Sequence, residues 1–297
     1  MTRMRGGHAG GGSEPDGTVA ERGRRDAVGV VLRGLGQALI TLGVVVLLFA
    51  VYEVWVTNIF AHQRQAKVTH EIEQQWAQGT DILALPQGQL KAHTGDGIAQ
   101  LYIPRLGSDY AWTIVEGSTV PTDGQLEQGP AHYGDTQLPG QAGNFAVAGH
   151  RVGKGEPFLN LDKLKAGDAV VVETANTWFV YCVIGAPAAS PCDPTASGAA
   201  LSSRDANGVP GRQVVSPSDG GVVLPVPSKQ SASQPYTTAY LTLTTCTPKF
   251  SASQRMIVHA LLDPAYPHGI AKTAQGSGYS RAIPSQITSL YQQIGEL

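Results

Sequence analysis

The sequence predicts a mainly β protein: a closed β-barrel of about eight short strands with short helices, carried behind one N-terminal transmembrane helix. Three observations carry this expectation. From Ala99 to Leu262 the apolar residues recur with a period of two, in short runs broken by turn residues, which is the mark of strands. Glycine and proline are abundant, 36 and 19 of 297 residues, and charged residues are few, as suits a β-rich domain with many turns. The run GLGQALITLGVVVLLFAVY, Gly34 to Tyr52, holds no charged residue, and roughly 20 residues suffice to span a bilayer.

Residues 1–33, rich in glycine, arginine and acidic groups, read as a disordered tail. Arg3, Arg5, Arg22, Arg24, Arg25 and Arg33 place that tail in the cytoplasm by the positive-inside rule. The span is assigned to residues 34–56, and no small-residue cleavage site follows it, which favours a retained span over a cleaved signal peptide. Everything after Thr57 is then expected outside the cell. Residues 57–98 hold NIFAHQRQAKVTHEIEQQWAQG from Asn58, apolar at helical spacing, and read as a juxtamembrane helix followed by a linker from residue 81.

The barrel is assigned to residues 99–262. AQLYIPRLG reads as a strand broken by Pro104, and YAWTIVEG as its hairpin partner. GNFAVAGHR is a short strand entering a loop, and GEPFLNLDKL spaces Phe158, Leu161 and Leu164 for one or two helical turns. DAVVVET and TWFVYCVIGA form a hairpin through Ala175 and Asn176. Residues 186–213, rich in Ala, Ser, Pro and Gly, read as a long loop or insertion. VVSPSDGGVVLPVPS reads as two short extended pieces, and TAYLTLTTC and RMIVHALL as the last two strands. Residues 263–297 look like a C-terminal tail, in which SQITSLYQQIGEL is able to form a helix.

The formal net charge is -2 and no basic stripe follows the first quarter of the chain, so nucleic acid is not an expected partner. Three cysteines in an external domain leave at least one unpaired within the chain. Cys182 shares a strand face with Trp178, Val180 and Ile184 and reads most simply as a buried thiol; a disulfide to Cys192, ten positions on, is the alternative in an oxidising location.

Cys246 ends a strand in which Ala239, Leu241 and Leu243 alternate with Tyr240, Thr242 and Thr244. If the apolar set faces the core, Cys246 turns to the more polar side. The next strand starts near Arg255, and antiparallel pairing would bring the two residues together. A guanidinium there favours a thiolate and donates hydrogen bonds to an oxyanion; the plainer reading is a surface charge beside a buried structural thiol. A thiol nucleophile wants a histidine as proton partner. His8, His62, His70, His93 and His268 lie in the tails, stalk or linker, and His259 sits mid-strand as a structural residue. His132 and His150 remain, and His150 is the better placed, because the preceding Gly149 has the backbone freedom to aim a side chain into a cleft. No Cys/His/Asp set has metal-ligand spacing, so neither a metal nor a cofactor is expected.

These residues resemble the sortase family. LTLTTC resembles the family signature strand that ends on the nucleophile, with Arg255 following at the matching distance. GNFAVAGHR resembles the strand ending in the catalytic histidine, and GEPFLNLDKLKAGDAVVVET the short helix and hairpin after it. The resemblance covers about residues 99–262, and GPAHYGDTQLPGQAGNFAVAGHR and TTCTPKFSASQRMIVHA look most like the class E enzymes of high-GC Gram-positive (actinobacterial) bacteria. It implies Cys246 as nucleophile, His150 as general acid/base and Arg255 as the group that stabilises the tetrahedral intermediate. It also implies substrate-binding roles for Thr244 and Thr245 beside the nucleophile, for Tyr133 in HYGD as a residue favouring alanine in the sorting signal, and for Ser216 and Pro217 in the loop over the groove.

The implied reaction cleaves an LPxTG or LAxTG sorting signal between Thr and Gly through a Cys thioester. The secreted protein is then passed to the amine of a lipid-linked peptidoglycan precursor at the membrane. Competing expectations are a cysteine hydrolase with water as acceptor, a pilin-polymerising sortase, and an inactive cell-wall-binding barrel. Residues 81–98 contain no Asp-Pro-Trp-like plug, which favours anchoring over pilus assembly.

Overall fold

The structure, a computed structural model, describes residues 17–52, 57–81, 83, 92–185, 192, 200–230, 234–276, 278–280 and 282–295. The chain divides into two compact units, Met1–Tyr52 and Glu53–Leu297. The first is the helix α1, Gly17–Val51. Its segment Gly29–Val51, 23 residues, is long and apolar enough to cross a membrane, which supports anchoring. The helix corrects the disordered reading of residues 17–33: Ala20, Glu21, Arg22, Arg24 and Arg25 are good helix formers that extend a helix already nucleated by the apolar run. Residues 1–16, and residues 53–56 of the expected span, lie outside the described residues.

The second unit opens with α2, Thr57–Ala77, which packs on the barrel through the buried Ala61, Val68, Ile72 and Trp76. Gln65 on the same face satisfies the edge of a strand, its Nε2 donating to the Thr113 carbonyl at 3.2 Å while its Oε1 accepts from the Thr113 N–H. The strands are β1 (Gly97–Tyr102), β2 (Ala111–Val115), β3 (Ala131–His132), β4 (Gly143–Ala148), β5 (Ala169–Glu173), β6 (Thr177–Val183), β7 (Arg212–Val215), β8 (Ala239–Thr247), β9 (Gln254–Leu262) and β10 (Ile270–Ala271). The order β6-β5-β1-β2-β3-β4-β8-β9 closes where β9 pairs back onto β6, so eight strands form the barrel. β7 pairs with β9 outside the ring, and β10 with β6.

Inside, Leu101, Phe145, Val147, Leu241, Leu243 and Val258 belong to the main core. Alternation sends Thr242 to the other face of β8, where His259 lies within hydrogen-bond reach of its hydroxyl at 2.9 Å. Gln213 Nε2 lies 3.0 Å from the other ring nitrogen of His259, and burial pushes that imidazole down to about 3, so it stays neutral. Thr242 in turn donates to Asn144, whose amide donates to the carbonyls of Val222 and Leu224. His259 is thus one link in a buried polar chain from β7 to the segment after it.

Three expectations change. The second piece of VVSPSDGGVVLPVPS is a 3-10 turn, Gly220–Val223, capped by Asp219 accepting from the Gly221 N–H at 3.0 Å, rather than an extended strand. Cys182 is bonded to Cys192 and is not a free thiol. Of the long loop, residues 186–191 and 193–199 lie outside the described residues. The segment read as a C-terminal tail returns to the barrel: β10 extends the sheet, and α4, Ser285–Gln293, buries Ile287 and Tyr291 against Trp178, Val180 and Cys182. Those two residues stand four apart and share one helix face, which is what lets a nine-residue helix dock.

Candidate active site

β8 lies between β4, to which it is parallel, and β9, to which it is antiparallel. The β8–β9 register sets Cys246 directly opposite Arg255. On the other side the ladder ends at Ala148 opposite Thr244, and the Gly149 N–H still donates to the Thr244 carbonyl at 3.0 Å. The chain leaving β4 past Gly149 carries His150, and β8 runs on past Thr244 to Cys246, so the two residues follow the paired ends of adjacent parallel strands. Cys246 is the free cysteine and is partly exposed. It therefore stands near the end of β8 opposite Arg255, on the strand adjacent to the one that leads into His150.

Gly149 is needed for space rather than for an unusual backbone conformation: a Cβ there would meet the Phe158 ring at 2.5 Å. His150 follows, tied by its carbonyl to the Phe158 N–H at 3.0 Å. Its Nε2 is buried without a hydrogen-bond partner among the described residues. Burial holds the imidazole below the ordinary histidine value, and the Lys154 cation adds to that, while Asp123 and Glu127 oppose it. Lys154 pairs with Glu127 at 3.2 Å and Asp123 at 3.6 Å, both at the short helix α3, Asp123–Leu126. Asn58 of α2 reaches the same loop, its Oδ1 accepting from the Gly155 N–H at 2.9 Å. Helix α2 thus braces the loop that follows the histidine.

Arg255 is partly exposed, and its Nη1 rests on the carbonyls of Ala252 at 3.0 Å and Gln254 at 3.2 Å. β7 pairs Val215 with Arg255, so Ser216 and Pro217 leave the sheet beside the guanidinium, both exposed. The Tyr133 hydroxyl lies 3.0 Å from Thr244 Oγ1. Burial raises the Tyr133 phenol, with the Thr244 bond and the Arg255 charge opposing and Cys246 adding to it, so the ring faces both members of the pair.

Two candidates separate from the rest. Thr245 is buried and donates to the Gly149 carbonyl at 2.8 Å, so its hydroxyl braces the strand leading to His150 and is turned away from Thr244's face. His132 is buried beneath Tyr133, its Nδ1 3.0 Å from Glu116 Oε2 and its Nε2 3.2 Å from the Gln137 carbonyl. The Thr136 hydroxyl lies 3.0 Å from the same Nε2, so both nitrogens are engaged by neighbouring groups, which makes the ring a brace for the HYGD loop rather than a base. Cys182, Cys192 and Asp263 come within 4.8 Å of one another, but the disulfide occupies both sulfurs. Sequence reasoning passed over Arg151 and Lys154, whose partners lie on other segments.

The chain belongs to the sortase family, whose domain model matches residues 101–263, and an eight-stranded barrel with a strand-borne thiol opposite an arginine is the architecture on which that match falls. Its curated relatives are class E proteins. The chain is 35% identical over 244 residues to Sortase SrtE1 of Streptomyces coelicolor, across 80% of this chain and 59% of that protein. It is 31% identical over 231 residues to Sortase SrtE2 of the same organism, across 75% of this chain and 79% of that one. The chain thus spans less than two thirds of the first relative's length. Among solved structures, the SrtF sortase from Corynebacterium diphtheriae superposes with a TM-score of 0.53 at 37% identity, covering 70% of this chain and 98% of that one.

Proposed function

We propose that the chain is a membrane-anchored class E cysteine transpeptidase in which Cys246 is the nucleophile, His150 the general acid/base and Arg255 the oxyanion donor. The observation that best supports this reading is the register that pairs Cys246 with Arg255, on a strand adjacent to the one leading into His150, whose Nε2 is buried with no hydrogen-bond partner among the described residues. Neutral His150 takes the Cys246 thiol proton as the sulfur adds to the Thr carbonyl carbon of an LPxTG or LAxTG signal, and the oxyanion accepts hydrogen bonds from Arg255. The carbonyl re-forms, the Thr–Gly C–N bond breaks, and His150 gives its proton to the departing glycine amine. The incoming amine of a lipid-linked peptidoglycan precursor attacks the thioester, loses a proton to His150 and expels the thiolate.

Tyr133, whose hydroxyl lies 3.0 Å from Thr244 Oγ1, and the exposed Ser216 and Pro217 after β7 take the substrate-binding roles in this reading. The Arg cluster before the span supports a cytoplasmic N-terminus, and the Cys182–Cys192 disulfide fits an oxidising exterior for the catalytic unit. A tether there keeps enzyme, signal-bearing protein and lipid-linked acceptor at one surface and raises their effective concentration.

The test incubates the full chain in detergent micelles with fluorogenic LPxTG and LAxTG peptides, with and without triglycine as a soluble amine. Cys246→Ala supplies the blank. Cys246-dependent cleavage with a triglycine-ligated product by mass spectrometry is expected. Release of the free acid alone, even with amine in excess, would assign a hydrolase, and cleavage by the Cys246→Ala chain would remove the reading altogether.

The His150 environment gives a pH prediction with a definite sign. Because burial lowers its proton affinity, the neutral imidazole persists below the ordinary histidine range, and the acid limb of kcat/KM falls below about 6.5. Lys154→Gln removes a lowering charge and moves that limb up; Glu127→Gln removes a raising one and moves it down. Identical profiles in all three proteins would show that the limb belongs to another group.

A further inference from the structure

We infer that Arg151 is a positioning residue for Cys246, an inference that rests on the catalytic reading above. Arg151 follows His150 directly and its side chain is 7% exposed. Its Nη1 donates to the Thr247 hydroxyl at 2.7 Å and lies 3.5 Å from the Cys246 carbonyl oxygen. Its Nη2 pairs with Asp162 Oδ1 at 3.2 Å. One planar group therefore joins the loop leaving β4, the last two residues of β8 and the 3-10 turn Leu161–Lys163.

Burying a cation is costly unless it is fully paired and hydrogen-bonded. Here the compensation is incomplete. Nε is buried with no partner among the described residues, and Asp162 is 45% exposed, where water screens it. Neutral or apolar contacts would hold two loops together at lower cost. What a guanidinium adds is direction: its N–H groups are coplanar and diverge at fixed angles, so Thr247 is set relative to Asp162 in orientation as well as distance.

The gripped atoms bracket the thiol. The β4–β8 ladder stops at Ala148 opposite Thr244, and two further hydrogen bonds reach only as far as Gly149. Past that point the Arg151 fork carries the link between the segment bearing His150 and the segment bearing Cys246. The spacing of imidazole and thiol is therefore set by a residue whose bonds on this side go to the Cys246 carbonyl and the Thr247 hydroxyl. A loosened fork changes how often the two groups meet correctly, and leaves the peptide groove as it was.

The test uses the full chain in detergent micelles, a fluorogenic LAxTG peptide and iodoacetamide. Arg151→Lys keeps the charge, but one ammonium cannot hold Thr247 and Asp162 together. Thr247→Val removes only the acceptor at nearly constant volume. In both, kcat is expected to fall about tenfold or more, the order that small misplacements of reacting groups cost, with KM within about twofold. Alkylation of Cys246 at fixed pH should slow several-fold in Arg151→Lys, with the thermal midpoint close to native. Unchanged kcat and alkylation in both variants overturn the inference, as does a loss of kcat that only tracks the melted fraction. If Arg151→Lys does not fold, Thr247→Val decides alone. Alkylation requires no turnover, so it still reports on Arg151 if the Cys246→Ala chain cleaves peptide and the catalytic reading itself falls.

Discussion

Arg255→Ala lowers kcat for peptide cleavage by about a hundredfold or more, with KM changed far less, because removing one preorganised oxyanion donor costs on that order. The structure says why the loss should be concentrated in kcat. Arg255 stands opposite Cys246 on the neighbouring strand, and its guanidinium is steadied by the Ala252 and Gln254 carbonyls. Carbonyl dipoles hold the group in place without cancelling its charge, and among the described residues no carboxylate pairs with it. The full charge is thus available to an oxygen that becomes negative only in the transition state, which is the kind of interaction that raises kcat. Arg255→Lys keeps the charge but loses the planar fork, and is expected to recover part of the rate. Steady-state kinetics on both variants decide the matter. A loss confined to KM would mean that Arg255 binds the resting carbonyl, and a change within threefold would move the oxyanion role to another donor.

The part of this site that sequence makes legible is the part written in strand alternation. β8 reads cleanly because apolar and polar residues alternate along it, and from that alternation both the face of Cys246 and its pairing with Arg255 follow. The same rule separates Thr245 from Thr244: adjacency in a signature places neighbours on opposite faces, and Thr245 spends its hydroxyl on Gly149. Gly149 itself was legible as necessary, but for the wrong reason, since the need arises from a phenyl ring nine residues ahead in the chain. β3 is two residues long and has no period to read. α2 conceals its docking face because one buried position is Gln65, which looks solvated until the strand edge it satisfies is known. Arg151 could not be found from its own neighbourhood, because its hydroxyl partner lies 96 positions away on β8.

Lys272→Met lowers the unfolding free energy of the catalytic unit by about 3–5 kcal/mol, the cost of leaving a buried charge without its partner. Lys272 Nζ is 2.5 Å from Glu173 Oε1, and the two side chains are 2% and 5% exposed. The ammonium also lies over the rings of Trp76 at 4.6 Å and Trp178 at 5.3 Å, so three elements share one cation: α2 through Trp76, the β5–β6 hairpin, and the segment after β10. Methionine keeps much of the volume but leaves Glu173 with the Tyr102 hydroxyl, at 2.6 Å, as a partner for one oxygen. In urea titrations the variant should unfold at lower denaturant, with a thermal midpoint reduced by roughly 10 °C for a unit of this size. The double variant Lys272→Met/Glu173→Gln should regain much of the loss, since it removes the stranded charge rather than the packing. Recovery would locate the energy in the electrostatics of the pair. A single variant within about 1 kcal/mol of native would show instead that water reaches Glu173 and that the aromatic contacts to the ammonium add little. The outcome bears on the active site as well, because the α2 that Lys272 helps to pin is the helix whose Asn58 braces the loop after His150.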